Sequence, residues 1–359
     1  MSAPRILGFA TQGAGGNDEA RLRRLLAEMD SQFFAFDYSR KAASFRALLG
    51  ELKRNRDGVA VMEGTGIAGG GALLLGRMLW GSRYVVSTGD APGPFVAAQA
   101  PLLGPLWWLY EFLLCRYAAG YIGWTPYLAG RALSFGSPRA ITAAGFNPFA
   151  SAGDWPQQRS AIRRKHGIPE DAIVFGIAGS LAWNRRYGYC YGYELVRAME
   201  HVHRKGVFAL IVGGGAGLER LRGMAGSSVI LTGPVAREEV PAYLSAMDAG
   251  SLPQSLDGVG SFRYTTKLSE YLAARLPVVT GQTPVSYDLD GGWLWRLPGD
   301  KPWGDRFIES LANLMQTVTA QDIERRRSAV PGELPEFDES RQVKRVTAFL
   351  EDLLAEVRA

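Results

Sequence analysis

Short runs of β-branched and aromatic residues recur along the chain, several ending at a glycine or an acid and most followed by a segment with apolar positions three or four apart. Runs at 5–10, 33–36, 58–63, 83–88, 119–125 and 139–143 read as strands in the first half. Those at 173–178, 207–213, 229–232, 248–253 and 278–279 read as strands in the second. Helical spacing follows at 18–28, 72–80, 126–135, from about 188 to 199, from 218, at 238–247, at 265–275, and at the end over 307–319 and 339–357. Strands that alternate with helices and are apolar on both sides of the pleat belong to parallel sheets covered on both faces. The pattern therefore predicts an α/β chain with two doubly wound halves, whose ligands sit beyond the carboxyl ends of the strands.

One segment departs from that rhythm. Residues 101–117, PLLGPLWWLYEFLLCRY, are the most apolar in the chain. Glu111 and Arg116 interrupt them, which excludes a helix crossing a bilayer. Apolar residues cover most of the helical circumference, which predicts a helix buried in the core. The alternative is a helix lying on a membrane surface, because Trp107, Trp108 and Tyr110 are residues that prefer such an interface.

Length and composition add bounds. The 359 residues suffice for two domains with separate cores. The net charge of +5 sits in the first half, which has no Lys/Arg runs of the kind that bind nucleic acid. Cys115 and Cys190 lie far apart inside structured segments, make no disulfide framework and point to a reducing, cytoplasmic compartment.

The densest chemistry lies at 265–281, TTKLSEYLAARLPVVTG. Thr265 or Thr266 caps a short helix, so unpaired amides through Leu268 and the positive dipole end form an anion site, to which Lys267 adds a full charge. Glu270 shares its face and, as an acceptor-only group, can take both hydroxyls of a ribose. This wording resembles the nucleotide-sugar site of GT-B glycosyltransferases, above all the family 4 type (glycosyl transferases group 1) with its Lys-x-x-Glu-Tyr-x-Ala-Ala pattern before a Pro-Val-Val strand.

The resemblance implies two Rossmann-like domains facing each other across a cleft: an acceptor domain over residues 1–150, a donor domain over 151–335, and a last helix, 336–359, packing back on the first. It places the ribose on Glu270, a basic residue of the 181–188 loop (Arg185 or Arg186) on the diphosphate, Gly213 in a turn before a helix, and the nucleobase near Val235. Phe262 stands where many members carry a second glutamate that contacts the transferred sugar. Gly13, Gly15 and Gly16 form a further glycine-rich turn able to approach the donor. On the acceptor side, Asp90 follows a strand, and it would be the general base if the anomeric carbon inverts; an Asx turn closed by Pro92 is the simpler account of the same residues. Asp90 and Lys267 are thus the catalytic candidates.

The expected activity is metal-independent and cofactor-free transfer of a sugar from a UDP- or GDP-linked donor to a lipid-linked acceptor or polysaccharide precursor, in the cytoplasm or on the inner face of the plasma membrane. Two alternatives stand beside it. A nicotinamide oxidoreductase would use the 12–17 turn and Asp37, although Asp18 occupies the place of the third glycine and would repel a pyrophosphate. A non-catalytic nucleotide-binding relative is the other. Asp288 and Asp290 spell the Asp-x-Asp metal signature of the other glycosyltransferase fold, too late in the chain for that role, and no His/Cys cluster suggests zinc.

Overall fold

The structure is a computed structural model and describes residues 6–145, 155–332 and 335–356. The chain divides into two compact units. The first holds Met1–Phe146, Phe262–Tyr264 and Leu334–Ala359; the second holds Asn147–Ser261 and Thr265–Glu333. The expected boundary at 150/151 lies outside the described residues.

The first unit is a six-stranded parallel sheet: β1 (Ile6–Ala10), β2 (Ser31–Phe33), β3 (Val59–Glu63), β4 (Arg83–Thr88), β5 (Gly120–Gly123) and β6 (Ala140–Thr142), in spatial order β2-β1-β3-β4-β5-β6. Alternate strand residues face opposite layers. Leu7, Phe9, Met62, Tyr84, Val86 and Tyr121 pack under helices from the 41–135 region, whereas Ile6, Val59, Val61, Val85 and Ile122 pack against Leu22, Leu25 and the last helix, Glu339–Ala355, through Val346, Leu350 and Leu353. The second unit repeats the build with β7 (Ile173–Ala178), β8 (Val207–Val212), β9 (Val229–Leu231), β10 (Ala249–Leu252), β11 (Val278–Gly281) and β12 (Leu294–Leu297). Its order, β12-β11-β10-β7-β8-β9, is all parallel and reverses direction between β7 and β10, the crevice where ligands of such sheets bind.

Several sequence expectations need correction. The second strand is Ser31–Phe33 and not 33–36, because Phe34 and Phe36 turn into an aromatic cluster with Phe9. The glycines at 69–71, read as loop, lie inside the helix Ile67–Trp80. They serve close packing: a methyl group on Gly70 would sit 2.0 Å from the Tyr110 hydroxyl. The helix expected after Gly188 starts at Tyr193, since Gly188 and Gly192 take left-handed φ of 61° and 85°. Helices Lys41–Arg54, Pro92–Gln99 and Ala320–Ala329 and the strand β12 were not anticipated.

The apolar segment is the clearest reversal. It forms the helix Gly104–Arg116, yet Leu106, Trp108 and Leu109 are exposed while Glu111 is buried, taking two hydrogen bonds from Arg131 at 2.6 and 2.9 Å and one from the Gly93 amide at 3.0 Å. Circumferential apolarity suggests burial only when the segment has two neighbours to bury it; here one face is left open.

Candidate active site

In the second unit the loops that leave β7, β8 and β9 are joined by backbone. Gly179 N donates to Val212 O, Leu181 N to Gly214 O, Gly217 N to Leu181 O, and Gly213 N to Gly233 O, at 2.8–3.0 Å. The junction admits no side chain: a Cβ at Gly213, whose φ is 138°, would lie 1.9 Å from the Gly179 carbonyl oxygen. These glycines build a fixed rim at the carboxyl edge of the sheet, with half-buried Val235 two residues past Gly233.

Onto this rim comes the helix Thr266–Ala273 that follows β10. Leu268, Tyr271 and Leu272 anchor it in the core, and the Tyr271 hydroxyl donates to Ser251 O at 2.8 Å. Anchored so, its first turn meets the end of β7. A methyl group on Gly179 would lie 2.8 Å from the Lys267 ammonium nitrogen, which also rests 4.2 Å from the centre of the Tyr191 ring. Thr265 is the N-cap by conformation (φ −76°, ψ 151°), but its hydroxyl makes no cap bond and is buried without a hydrogen-bond partner. Leu268, placed among the donor contacts, is corrected: its amide already donates to Thr265 O at 2.9 Å and its side chain is core. Thr266 and Lys267 are left to offer their amides at this end.

Glu270, one turn on, is half-buried. Burial raises its pKa, and the nearby Lys267 and Arg237 charges pull it back. Beneath the loop after β7 lies a carboxyl that sequence reading missed. Glu194 is fully buried, accepts from Ser251 Oγ at 2.8 Å and Tyr189 Oη at 3.1 Å, and is pushed up to about 7 by burial. Its signal was an acid at helical spacing among apolar neighbours, obscured by the tyrosines around it. Arg185 and Arg186 stand exposed on this same loop. The Arg186 amide donates to Asn184 Oδ1 at 3.0 Å, closing the turn.

The first unit gathers charge differently. At the carboxyl edge of its sheet Arg21 Nη1 donates to Glu63 Oε2 at 2.6 Å and to Ser87 Oγ at 3.2 Å, and Trp124 Nε1 donates to Glu63 Oε1 at 3.1 Å. The pair is buried, and the guanidinium lies 4.5 Å from the Trp124 ring centre. Burial raises the Glu63 carboxyl and Arg21 opposes the shift. Asp90, just past β4, is ion-paired with Arg263 Nε. The Asx turn expected for it is replaced by a contact from Thr88, whose Oγ1 takes the Asp90 amide at 3.2 Å.

The glycine turn does not present the donor site assigned to it. Gly13 N donates to Ala10 O at 3.2 Å and Gly15 N to the Glu19 carboxylate at 2.6 Å, so both amides are already satisfied; Gly16 caps the helix Asn17–Leu25. Phe262 is assigned to a different unit from Lys267 and Glu270. It belongs to the first unit, where its carbonyl accepts from Thr125 Oγ1 at 2.9 Å and its ring lies 5.5 Å from the Arg131 guanidinium. Asp37, the acid a nicotinamide reading needs, caps the turn Tyr38–Arg40 through the Ser39 and Arg40 amides. Asp290 closes a turn on Gly292 N and pairs with Arg296. Among the described residues no grouping of three or more His, Cys, Asp or Glu could hold a metal ion.

Residues 172–314, most of the second unit, match the family described as glycosyl transferases group 1. Over those residues the second unit is similar to group 1 glycosyl transferases. The Lys267–Glu270 helix and the Gly179–Gly213 junction both fall inside the matched residues. Over the whole chain the fold is that of GT-B enzymes. HepE from Anabaena, solved with UDP and glucose, superposes with a TM-score of 0.71 at 15% identity over 98% of this chain and 100% of its own. Sucrose-phosphate synthase from Thermosynechococcus elongatus gives 0.69 at 12% identity over 98% and 100%. A trehalose-phosphate synthase from Burkholderia xenovorans gives 0.62 at 13% identity over 99% and 100%. No curated protein matches the sequence significantly. The two six-stranded parallel sheets, one in each unit, agree with the expected fold class.

Proposed function

We propose that the protein transfers a sugar from a nucleoside-diphosphate sugar, with UDP or GDP as the leaving group, to a hydroxyl acceptor. One observation carries the reading: Lys267 reaches Gly179 at the switch point of the second sheet, and Glu270 stands one turn behind it on the same helix. There the ammonium and the amides of Thr266 and Lys267 bind the diphosphate, and Glu270 accepts the ribose hydroxyls. A phosphate oxygen would give the buried Thr265 hydroxyl the acceptor it lacks.

Bond breaking leaves the diphosphate with more negative charge than it held in the donor. Groups fixed at the Lys267 helix start interact more strongly with that product-like state than with the ground state, which is where a rate gain originates. Arg185 or Arg186 adds a forked donor from the loop after β7. In this scheme the fixed ammonium supplies the charge, and transfer proceeds in the presence of a chelator. Asp90 is the acceptor-side carboxylate, and a hydroxyl reaches it only in competition with Arg263.

A thermal-shift panel of nucleoside diphosphates, nucleotide sugars and nicotinamide dinucleotides tests this. Stabilisation by UDP or GDP is expected, about 2.7 kcal/mol at a hundred times the dissociation constant. Donor turnover should accompany it and fall with Glu270→Ala. Stabilisation by a nicotinamide dinucleotide alone would contradict the proposal; nucleotide binding with no turnover of any donor would favour a non-catalytic relative.

A further inference from the structure

Of the fourteen large apolar side chains exposed among the described residues, eleven lie between Ile67 and Leu133. They belong to the helix layer that covers one face of the first sheet. The distribution there is inverted relative to a water-facing surface: Leu102 is 97% exposed, Met78 79% and Leu106 62%, while the segment's sole acid, Glu111, is 3% exposed and held by Arg131. Leu102, Leu106 and Leu109 follow helical spacing, so they form a ridge and not scattered singles. Trp108 is half in and half out, stacked on Phe112, as an interfacial tryptophan would be.

Charge says what covers the ridge. From Pro92 to Tyr117 the only exposed ion is Arg116, and Arg77 is exposed beside Met78 on the neighbouring helix; no exposed acid lies in either stretch. A second copy related by a two-fold axis would bring these cations toward their own counterparts. An anionic lipid surface takes both the leucines and the arginines. No helix among the described residues is long and apolar enough to cross a bilayer, so the contact is with its surface.

We propose that this face, centred on Leu102, Leu106 and Leu109 with Arg77 and Arg116 at its margin, docks the protein on an anionic bilayer. The ridge continues to the acceptor-side residues, because Phe95 lies 5.7 Å from the Arg263 guanidinium that pairs with Asp90. An acceptor anchored in lipid would thus present its head group at Asp90, an extension that rests on the sugar-transfer reading; the docking itself does not.

The test is flotation of the full chain with vesicles of equal parts phosphatidylglycerol and phosphatidylcholine, beside vesicles of phosphatidylcholine alone, with light scattering in detergent-free buffer. The protein should float with the anionic vesicles and far less with the neutral ones. Leu102→Glu/Leu106→Glu should lower the floated fraction about tenfold and Arg77→Glu/Arg116→Glu severalfold. The melting temperature of each variant, unchanged at these exposed positions, confirms that it folds. Failure of the wild type to float, flotation indifferent to the substitutions, or a dimer that the leucine substitutions dissociate would each overturn docking; the last would assign the face to a second copy. Nucleotide-induced thermal shift is measured separately, so loss of docking and loss of the donor reading are told apart.

Discussion

The carboxyl edges of the two sheets are finished in opposite ways. In the second unit main chain binds to main chain, with Gly213 removing the side chain that would strike the Gly179 carbonyl and hold the loops apart. In the first unit side chains do the joining, through a buried Arg21–Glu63 pair with Ser87 and Trp124 as further partners. A rim of backbone carries no charge of its own, and the charge beside it is Lys267, which rests against Gly179. A rim of buried ions has its charge already paired within itself, and half-buried Asp90 at its border is paired with Arg263.

That contrast sets what should break each half. Gly213→Ala places a methyl group on the Gly179 carbonyl at a φ few other residues adopt, and should cost about 4 kcal/mol or more in urea unfolding, or prevent folding. Arg21→Met leaves Glu63 buried and unpaired, a loss of about 3–4 kcal/mol, most of which Arg21→Met/Glu63→Leu should restore. A double variant no better than the single would mean the cluster holds the fold by geometry and not by charge balance.

Glu194 sharpens the comparison by pH. Its folded pKa of about 7 lies above the ordinary 4.5, so folding favours the protonated form. Its contribution is fully present below about pH 4.5 and is lost as pH rises to about 7. Glu194→Gln should therefore stabilise the protein by about 2–3 kcal/mol at pH 8 and leave it nearly unchanged at pH 4.5. Smallest of all, Asp37→Ala should lower the melting temperature only slightly through the lost cap and alter no nucleotide affinity.

The same difference explains what could be read in advance. Glycines at strand ends and an apolar helix face with Lys267 and Glu270 at fixed offsets are local patterns, so the sheets and the helix that carries Lys267 and Glu270 were legible. The Arg21–Glu63 pair spans 42 residues and Arg263–Asp90 spans 173, and no periodicity announces such partners. The glycine turn at 13–16 misled because a sequence shows where backbone could be free, not that Glu19 has taken the amide. The 101–117 segment misled because apolarity was read without knowing how many neighbours the helix would have.

The central claim is that Glu270 and Lys267 hold the ribose and the diphosphate of one donor. Calorimetric titration of UDP and 2′-deoxy-UDP into the wild type, Glu270→Ala and Lys267→Ala measures it directly. The account predicts that the wild type prefers UDP about tenfold or more, that Glu270→Ala binds both equally, and that Lys267→Ala weakens both while keeping the preference. A Glu270→Ala protein that still distinguishes the two sugars would contradict it.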